Sequence, residues 1–133
     1  MRVTATGEQT SLADRKRRAG QRLFVGFAKP HVDDDIRYLA RTIRPAGFVL
    51  FSRNVEEPEQ VFELNRELAS LAEGHLPVMI AVDQEGGRVQ RVREPATRWP
   101  SLRHVGLADS RDNDDLVSQT ATGLSRELRA MGF

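Results

Sequence analysis

The sequence predicts an α/β fold built from parallel β/α units. Three short apolar runs, typical of buried strands, occur at residues 23–27, 47–51 and 78–82. Segments with apolar residues at helical spacing separate these runs. Because each link between successive strands is long enough to contain a helix, the strands are predicted to run parallel, with the helices as crossover connections.

The first two β/α units are defined by local signals. The run 23–27 is predicted to be a strand buried on both faces. The acidic residues 33–35 place negative charge at the start of a helix that is expected to end near Pro45. After the second strand, Pro58 suits the first turn of the next helix and Gly74 is a plausible stop.

The third unit departs from this regular spacing. The strand 78–82 leads directly into the polar loop 83–91, and residues 92–111 are interpreted as a long irregular stretch. Residues 112–115 (Asp-Asn-Asp-Asp) are typical of a helix start, and the last helix is expected to end with Gly132 at its C-cap. Phe133 would then open a fourth strand. The chain is therefore expected to be the first part of a larger fold, since three strands cannot close a barrel of about eight.

Composition limits the class of protein. The 133 residues fit one domain, with residues 1–20 expected to form an extension with a short helix and residues 21–133 the domain itself. The net charge of +1 argues against a nucleic-acid partner, and the basic run 15–18 is interpreted as a solvated helix face rather than a phosphate-binding arm.

No apolar run reaches the roughly 20 residues of a membrane span, and no secretory leader is recognisable. We therefore expect no membrane association and a cytoplasmic location.

Polar segments follow all three predicted strands, at residues 29–31, 52–54 and 83–91. A doubly wound sheet and a β/α barrel both place ligands at the carboxyl ends of their strands. The segment 83–91 (DQEGGRVQR) holds two carboxylates, two guanidinium groups, two amides and a Gly-Gly pair. Such a concentration of polar groups beside a core is costly unless each has a partner, which predicts a binding loop.

Three segments resemble the amino-terminal part of glycoside hydrolase family 3, in its bacterial β-N-acetylhexosaminidase branch. They are GFVLFSRN at 47–54, AVDQEGGRVQR at 81–91 and Trp-Pro-Ser at 99–101. The resemblance covers roughly residues 20–133. It implies the first part of a TIM-type (β/α)8 barrel, incomplete in this chain. It also implies a retaining enzyme that removes terminal N-acetylglucosamine, typically from peptidoglycan fragments, without a metal or an organic cofactor.

The resemblance assigns substrate binding to Asp83 and Arg91. Asp83 would accept hydrogen bonds from sugar hydroxyls and Arg91 would donate to the same sugar; charge-assisted bonds of this kind contribute about 1.5–3 kcal/mol each. Gly86 and Gly87 would let the loop turn sharply. The alternative is an internal ion-pair network of the charged residues in the loop, an interpretation that we favour for two of them, Glu85 and Arg88.

No catalytic residue is predicted within this chain. Asp83 and Glu85 lie in one tight loop, whereas a retaining glycosidase places its two carboxyls about 5–5.5 Å apart across the scissile bond. The resemblance places the nucleophile and the acid/base residues beyond Phe133, so the isolated chain is expected to be inactive. The missing remainder of the barrel is then a possible partner.

Other polar and aromatic side chains are assigned structural roles. The three histidines, His31, His75 and His104, are expected to be surface or packing residues. Arg53 and Asn54 are expected to brace the ends of the strands, and Trp99 to anchor its loop rather than to stack on a sugar.

Two further functions remain open from the residues alone. One is a sugar-binding or interaction module without chemistry. The other is a phosphate-binding α/β domain that uses Gly86, Gly87 and Arg88. Either would use the same loop, so titration with N-acetylglucosamine and with phosphate would separate them.

Overall fold

A computed structural model of the protein describes residues 11–72, 77–112 and 115–133. Its central sheet contains three parallel strands in the order β1 (Phe24–Val25), β2 (Gly47–Leu50) and β3 (Met79–Val82). The predicted parallel α/β arrangement is confirmed. The helices are α1 (Leu12–Gly20), α2 (Asp34–Ile43), α3 (Pro58–Ser70), α4 (Leu102–Asp112) and α5 (Leu116–Ala130), with a 3₁₀ turn at Ser52–Asn54 after β2.

The core lies between the sheet and the helices that connect its strands. Phe48 and Leu50 of β2 have no exposed surface, and neither do Val61 and Leu68 of α3. The rings of Phe27 and Phe48 meet edge to face, with centroids 6.1 Å apart. Full burial of side chains of this size stabilises the fold by about 1.5–3 kcal/mol each, so β2 and α3 form its most stable part.

Helix ends follow the sequence signals closely. The Asp33 carboxylate caps α2 by accepting a hydrogen bond of 3.0 Å from the amide of Ile36. The end of α5 is a Schellman motif: Gly132 has φ 82°, and the amides of Gly132 and Phe133 donate to the carbonyls of Arg129 and Leu128. The predicted glycine C-cap is therefore confirmed. Phe133 completes the end of this helix and pairs with no strand in the described part of the chain.

The first predicted strand is partly wrong. The run 23–27 forms a strand only at Phe24 and Val25, and Phe24 remains 47% exposed. β1 lies at an edge of the described sheet, so no strand covers its outer side. The Phe24 ring instead lies against Gly47, where an added Cβ would be 2.5 Å from a ring carbon.

Two elements were missed. The stretch 92–111, interpreted as irregular, contains most of α4 from Leu102 onward. Val105 is buried but Leu102 and Leu107 are exposed, so α4 lacks the apolar stripe that identifies a helix.

The loop 83–91 contains an antiparallel hairpin of β4 (Gln84–Gly86) and β5 (Val89–Gln90). Asp115 is the N-cap residue of α5, as the predicted helix start requires, but its side chain makes no capping hydrogen bond, and Asp112 instead ends α4. Residues 113–114, Gly74 and His75 lie outside the described residues.

The amino-terminal helix α1 is confirmed, and the basic residues 15–18 on it are exposed to solvent. Gly20, at the end of α1, lies in close contact with the end of α2. A Cβ added at Gly20 would be 1.8 Å from the carbonyl oxygen of Ile43, so only glycine fits there without a shift. The boundary between extension and domain near residue 20 stays a prediction. Among the described residues, none of the helices combines the length and hydrophobicity that crossing a bilayer requires.

Candidate functional site

The loops that follow β1 and β2 are joined by the buried side chain of Asn54. Its Nδ2 donates to the carbonyls of Phe27 and Lys29 at 3.1 and 2.8 Å, and its Oδ1 accepts from the amide of Phe51 at 2.9 Å. Arg53 donates from Nε to the carbonyl of Phe27 at 2.7 Å, and its guanidinium lies 4.5 Å above the centroid of the Phe51 ring. The predicted bracing role of both residues is confirmed.

The third loop is held by two buried glutamines. Gln84 accepts at Oε1 from the amides of Arg91 and Val92, at 2.9 and 3.1 Å, and donates from Nε2 to the carbonyl of Val92 at 2.8 Å. The side chain of Gln84 therefore ties β4 to the residues that follow β5. An amide suits this position because it both donates and accepts without a charge that would resist burial.

Gln90 of β5 is likewise hydrogen-bonded to backbone through its side-chain amide. Its Nε2 donates to the carbonyls of Val92 and Thr97, and its Oε1 accepts from the amide of Trp99 at 3.1 Å. Gln90 thus fixes the hairpin to the segment that follows it. The two glutamines were not predicted as structural residues.

The two glycines lie where β4 passes into the turn of the hairpin: Gly86 ends β4 and Gly87 begins the turn. Gly86 and Gly87 have φ of 78° and 61°, values that favour glycine. A Cβ on Gly86 would be 2.2 Å from the carbonyl oxygen of Pro100, so the hairpin and residues 99–101 are in backbone contact. The amide of Gly87 donates to the carbonyl of Trp99 at 2.8 Å. The predicted sharp turn is confirmed, and a Gly-Gly pair between short strands is itself a hairpin signal.

Asp83 and Arg91 are brought together at the base of this hairpin. Arg91 donates from a terminal guanidinium nitrogen to Asp83 Oδ2 at 3.1 Å, and the two side chains are 28% and 49% exposed. The Nε of Arg91 is buried and has no hydrogen-bond partner in the described residues. An ion pair this exposed contributes about 0–1 kcal/mol to stability, so folding alone is a weak reason for its presence.

The predicted ion-pair network does not extend to the other two charged residues. Glu85 and Arg88 are exposed, and neither has an ion-pair partner in the described parts of the chain. The network interpretation was therefore wrong for Glu85 and Arg88. Side chains alternate across a strand, so the buried positions Gln84 and Gly86 turn the intervening Glu85 to solvent.

Trp99 and Thr97 connect this loop to α5 through Glu127. The Trp99 indole donates from Nε1 to Glu127 Oε2 at 2.8 Å, and the amide and hydroxyl of Thr97 donate to Oε1. The indole ring lies over Gly123, where an added Cβ would be 2.4 Å from a ring carbon. The predicted anchoring role of Trp99 is confirmed, whereas Glu127 was missed because nothing in its local sequence separates it from an ordinary helix surface residue.

The hydrogen bonds lower the pKa of the Glu127 carboxyl. Partial burial acts to raise this pKa, but the bonds from Thr97 and Trp99 outweigh it and hold the pKa below the usual 4.5. The carboxyl is ionised at neutral pH, as a glutamate ordinarily is, so the bonds that it accepts are charge-assisted.

Two cavities adjoin the hairpin. One of about 300 Å³ lies between the loop after β2 and the segment after β5, and Ser52, Glu56, Arg91 and Arg93 are among its lining residues. The other, of about 670 Å³, is lined by Gly87, Gln90, Trp99 and their neighbours. Arg91 thus faces a cavity at the low end of the size range of small-molecule sites, about 300–1,000 Å³.

The two histidines within the described residues are surface residues. His31 is exposed, and His104 is exposed with its Nδ1 2.6 Å from the hydroxyl of Ser101, as a surface residue would be. His75 lies outside the described residues. In the parts of the chain that the structure covers, histidine and carboxylate side chains form no group of three or more that could hold a metal ion.

Comparisons with known proteins agree with this geometry. The model of the glycosyl hydrolase family 3 N-terminal domain matches residues 18–133. A β-hexosaminidase of Nitrosomonas eutropha is 44% identical over 89 residues, which are 65% of this chain and 25% of the relative. A β-hexosaminidase of Thiobacillus denitrificans is 40% identical over 103 residues, which are 75% of this chain and 28% of the relative.

Solved structures show the same relationship. A family 3 β-N-acetylglucosaminidase from Paenibacillus superposes with a TM-score of 0.79 at 34% identity, covering 89% of this chain and 22% of that protein. NagZ from Neisseria gonorrhoeae, in complex with N-trifluoroacetyl-D-glucosamine, gives a TM-score of 0.74 at 30% identity, covering 84% of this chain and 33% of that protein.

The chain spans about a quarter of the length of these curated relatives. Its parallel β/α units are the first part of a TIM-type (β/α)8 barrel, incomplete in this chain, as predicted. The chain belongs to glycoside hydrolase family 3 and contains part of the amino-terminal domain of that family.

Proposed function

We propose that this chain supplies the sugar-binding hairpin of a retaining β-N-acetylglucosaminidase, with Asp83 and Arg91 holding the terminal N-acetylglucosamine. The observation that carries the proposal is the solvent-accessible Asp83–Arg91 pair on a hairpin whose buried side-chain amides, Gln84 and Gln90, are bonded to backbone. The names of the relatives support the same sugar class. We further propose, from the family branch, that the substrates are peptidoglycan fragments in the cytoplasm.

The chemistry of the pair suits a pyranose. A carboxylate accepts hydrogen bonds from two neighbouring hydroxyls, and a guanidinium donates to ring substituents in fixed directions. The unpartnered Nε of Arg91 offers one donor that the fold does not use. In the free chain the two charges satisfy each other, and a bound sugar would share both of them.

We propose that the two catalytic carboxyl functions come from polypeptide outside residues 1–133. Retaining hydrolysis needs a nucleophile and an acid/base group about 5–5.5 Å apart. Asp83 is already paired with Arg91. Glu85, two residues further along in β4, is exposed to solvent. The isolated chain should therefore bind sugar without hydrolysing a glycoside.

The geometry of the glycine pair speaks against the phosphate alternative. A phosphate-binding loop presents free backbone amides to its ligand. The amide of Gly87 is already donated to the carbonyl of Trp99, and that carbonyl and Pro100 lie against the turn. Arg88 would be left to bind phosphate with little help from the backbone.

Calorimetric titration of the purified chain tests the proposal. We expect N-acetylglucosamine to bind, binding to be lost in Asp83→Ala and Arg91→Ala, and the matched loop variant Arg88→Ala to bind as the parent does. Phosphate binding that is lost in Arg88→Ala would favour the alternative. Turnover of an aryl N-acetylglucosaminide by the isolated chain would contradict the proposed division of catalytic residues.

A further inference from the structure

We propose that Glu127 of α5 is a positioning residue for the sugar-binding hairpin, acting through Trp99 and Thr97. The inference rests on the proposed function of Asp83 and Arg91, and it adds a residue far from them in sequence. Its basis is a continuous series of hydrogen bonds that begins on α5 and ends at the backbone of Arg91.

The first step joins α5 to the segment 97–99. The Glu127 carboxylate accepts three hydrogen bonds there, two from Thr97 and one of 2.8 Å from the Trp99 indole. The close contact of the indole with Gly123 blocks any larger side chain at that position of α5. The segment is thus fixed in both distance and orientation relative to the helix.

The second step joins this segment to the hairpin. The backbone of Trp99 bonds to β5 and to the turn of the hairpin: its amide donates to Gln90 Oε1 at 3.1 Å, and its carbonyl accepts from the Gly87 amide at 2.8 Å. The carbonyl of Thr97 accepts from Gln90 Nε2. A shift of Trp99 would therefore move the turn and β5 together.

The third step reaches the sugar-binding groups. Arg91 directly follows Gln90, and its amide donates to Gln84 Oε1 at 2.9 Å, next to Asp83. The distance between the Asp83 and Arg91 side chains thus depends on Gln84, which bonds to the Arg91 amide, and on Gln90, which the Trp99 segment holds. Positions of binding groups must be correct to within about 0.5 Å for a site of this kind, so loosening of the anchor should reduce affinity for the sugar.

NMR spectroscopy of the ¹⁵N-labelled chain provides the test, because its single tryptophan gives one indole N–H signal. We expect Glu127→Gln to move the indole proton signal upfield, to shift the amide signals of Gly87 and Arg91, and to weaken N-acetylglucosamine binding about fivefold or more, as the loss of one hydrogen bond would. Glu63→Gln is the matched control, since its exposed carboxylate pairs with Arg66 alone among the residues that the structure describes.

A second variant tests the same contact if Glu127→Gln fails to fold. Trp99→Phe keeps an aromatic side chain at this position but removes the donor to Glu127, and it should shift the Gly87 and Arg91 amides in the same way. Unchanged Gly87 and Arg91 amides in the folded variants would overturn the inference, even if stability fell. If the parent chain binds no N-acetylglucosamine while these amides do shift, the positioning role stands and the proposed function fails.

Discussion

The loops after β2 and β3 contain similar residues but use them differently. In the first, Asn54 and Arg53 bond to backbone carbonyls, and Asn54 is fully buried. In the second, the buried amides of Gln84 and Gln90 hold the backbone, and within the described residues the charged side chains of Asp83 and Arg91 bond only to each other. The polar side chains of the loop after β2 hold its backbone in place, whereas the loop after β3 leaves a charged pair available for a ligand.

The difference follows from the cost of burying charge. A neutral amide can be buried at low cost when its donors and acceptors are all paired, whereas a buried carboxylate or guanidinium loses several kcal/mol of hydration. The hairpin therefore places amides inside and charges at the surface. Substitutions of the two kinds should separate stability from binding.

The largest effect is expected at the turn of the hairpin. Gly86→Ala forces a side chain into positive φ and against the carbonyl of Pro100, which should lower the free energy of unfolding by about 3 kcal/mol and abolish sugar binding. The matched control is Gly106→Ala in α4, where an added Cβ meets no atom within 4 Å. This change should raise stability by about 0.5–1 kcal/mol. Urea denaturation compares the two, and equal effects would refute the packing of the turn.

The next effect tests the loop after β2. Asn54→Ala removes the side-chain partner of the Lys29 carbonyl and of the Phe51 amide, and one of the two donors to the Phe27 carbonyl, so we expect a loss of about 2–3 kcal/mol in the free energy of unfolding. Sugar affinity of the folded fraction should change less than twofold, a margin that corresponds to about 0.4 kcal/mol. Loss of affinity without loss of stability would assign Asn54 to the binding site instead.

The opposite result is expected in the hairpin. Asp83→Ala should change the free energy of unfolding by less than about 1 kcal/mol, since the pair is exposed. Its affinity for N-acetylglucosamine should fall at least about tenfold, the value of one charge-assisted hydrogen bond. Parallel urea denaturation and calorimetry measure both quantities. A large loss of stability would show that the ion pair serves the fold.

The smallest effect concerns pH and the loop after β1. The pKa of Asp33 lies below its usual 3.8 because its carboxylate accepts hydrogen bonds from Lys29 and the Ile36 amide. A lowered folded-state pKa stabilises the fold above the unfolded value and ceases to do so as pH falls through the folded value. The urea midpoint should therefore decline below about pH 3.8 more steeply than in Asp33→Asn. Identical profiles would refute the effect.

Features with local signals could be predicted from the sequence. The three apolar runs defined the parallel strands, the acidic residues before Ile36 marked the start of α2, and Gly132 marked the end of α5. Asp83 and Arg91 were brought together as a binding site would require, although their role stays a prediction. These features depend on residues close to one another in the sequence.

What the sequence did not reveal depends on tertiary contacts. The glutamines of the hairpin resemble ordinary loop residues until their partners at Val92, Thr97 and Trp99 are known. Glu127 lies 28 residues after Trp99, so no local pattern links them. The exposure of Phe24 likewise depends on which strand lies beside β1.

The central claim is that the hairpin after β3 binds N-acetylglucosamine. NMR titration of the ¹⁵N-labelled chain with this sugar tests it most directly, since every assigned amide reports its own environment. We predict that the largest shifts occur within residues 83–91 and the adjoining cavity near Ser52 and Glu56. Shifts concentrated elsewhere, or the same shifts in Asp83→Ala, would contradict the account.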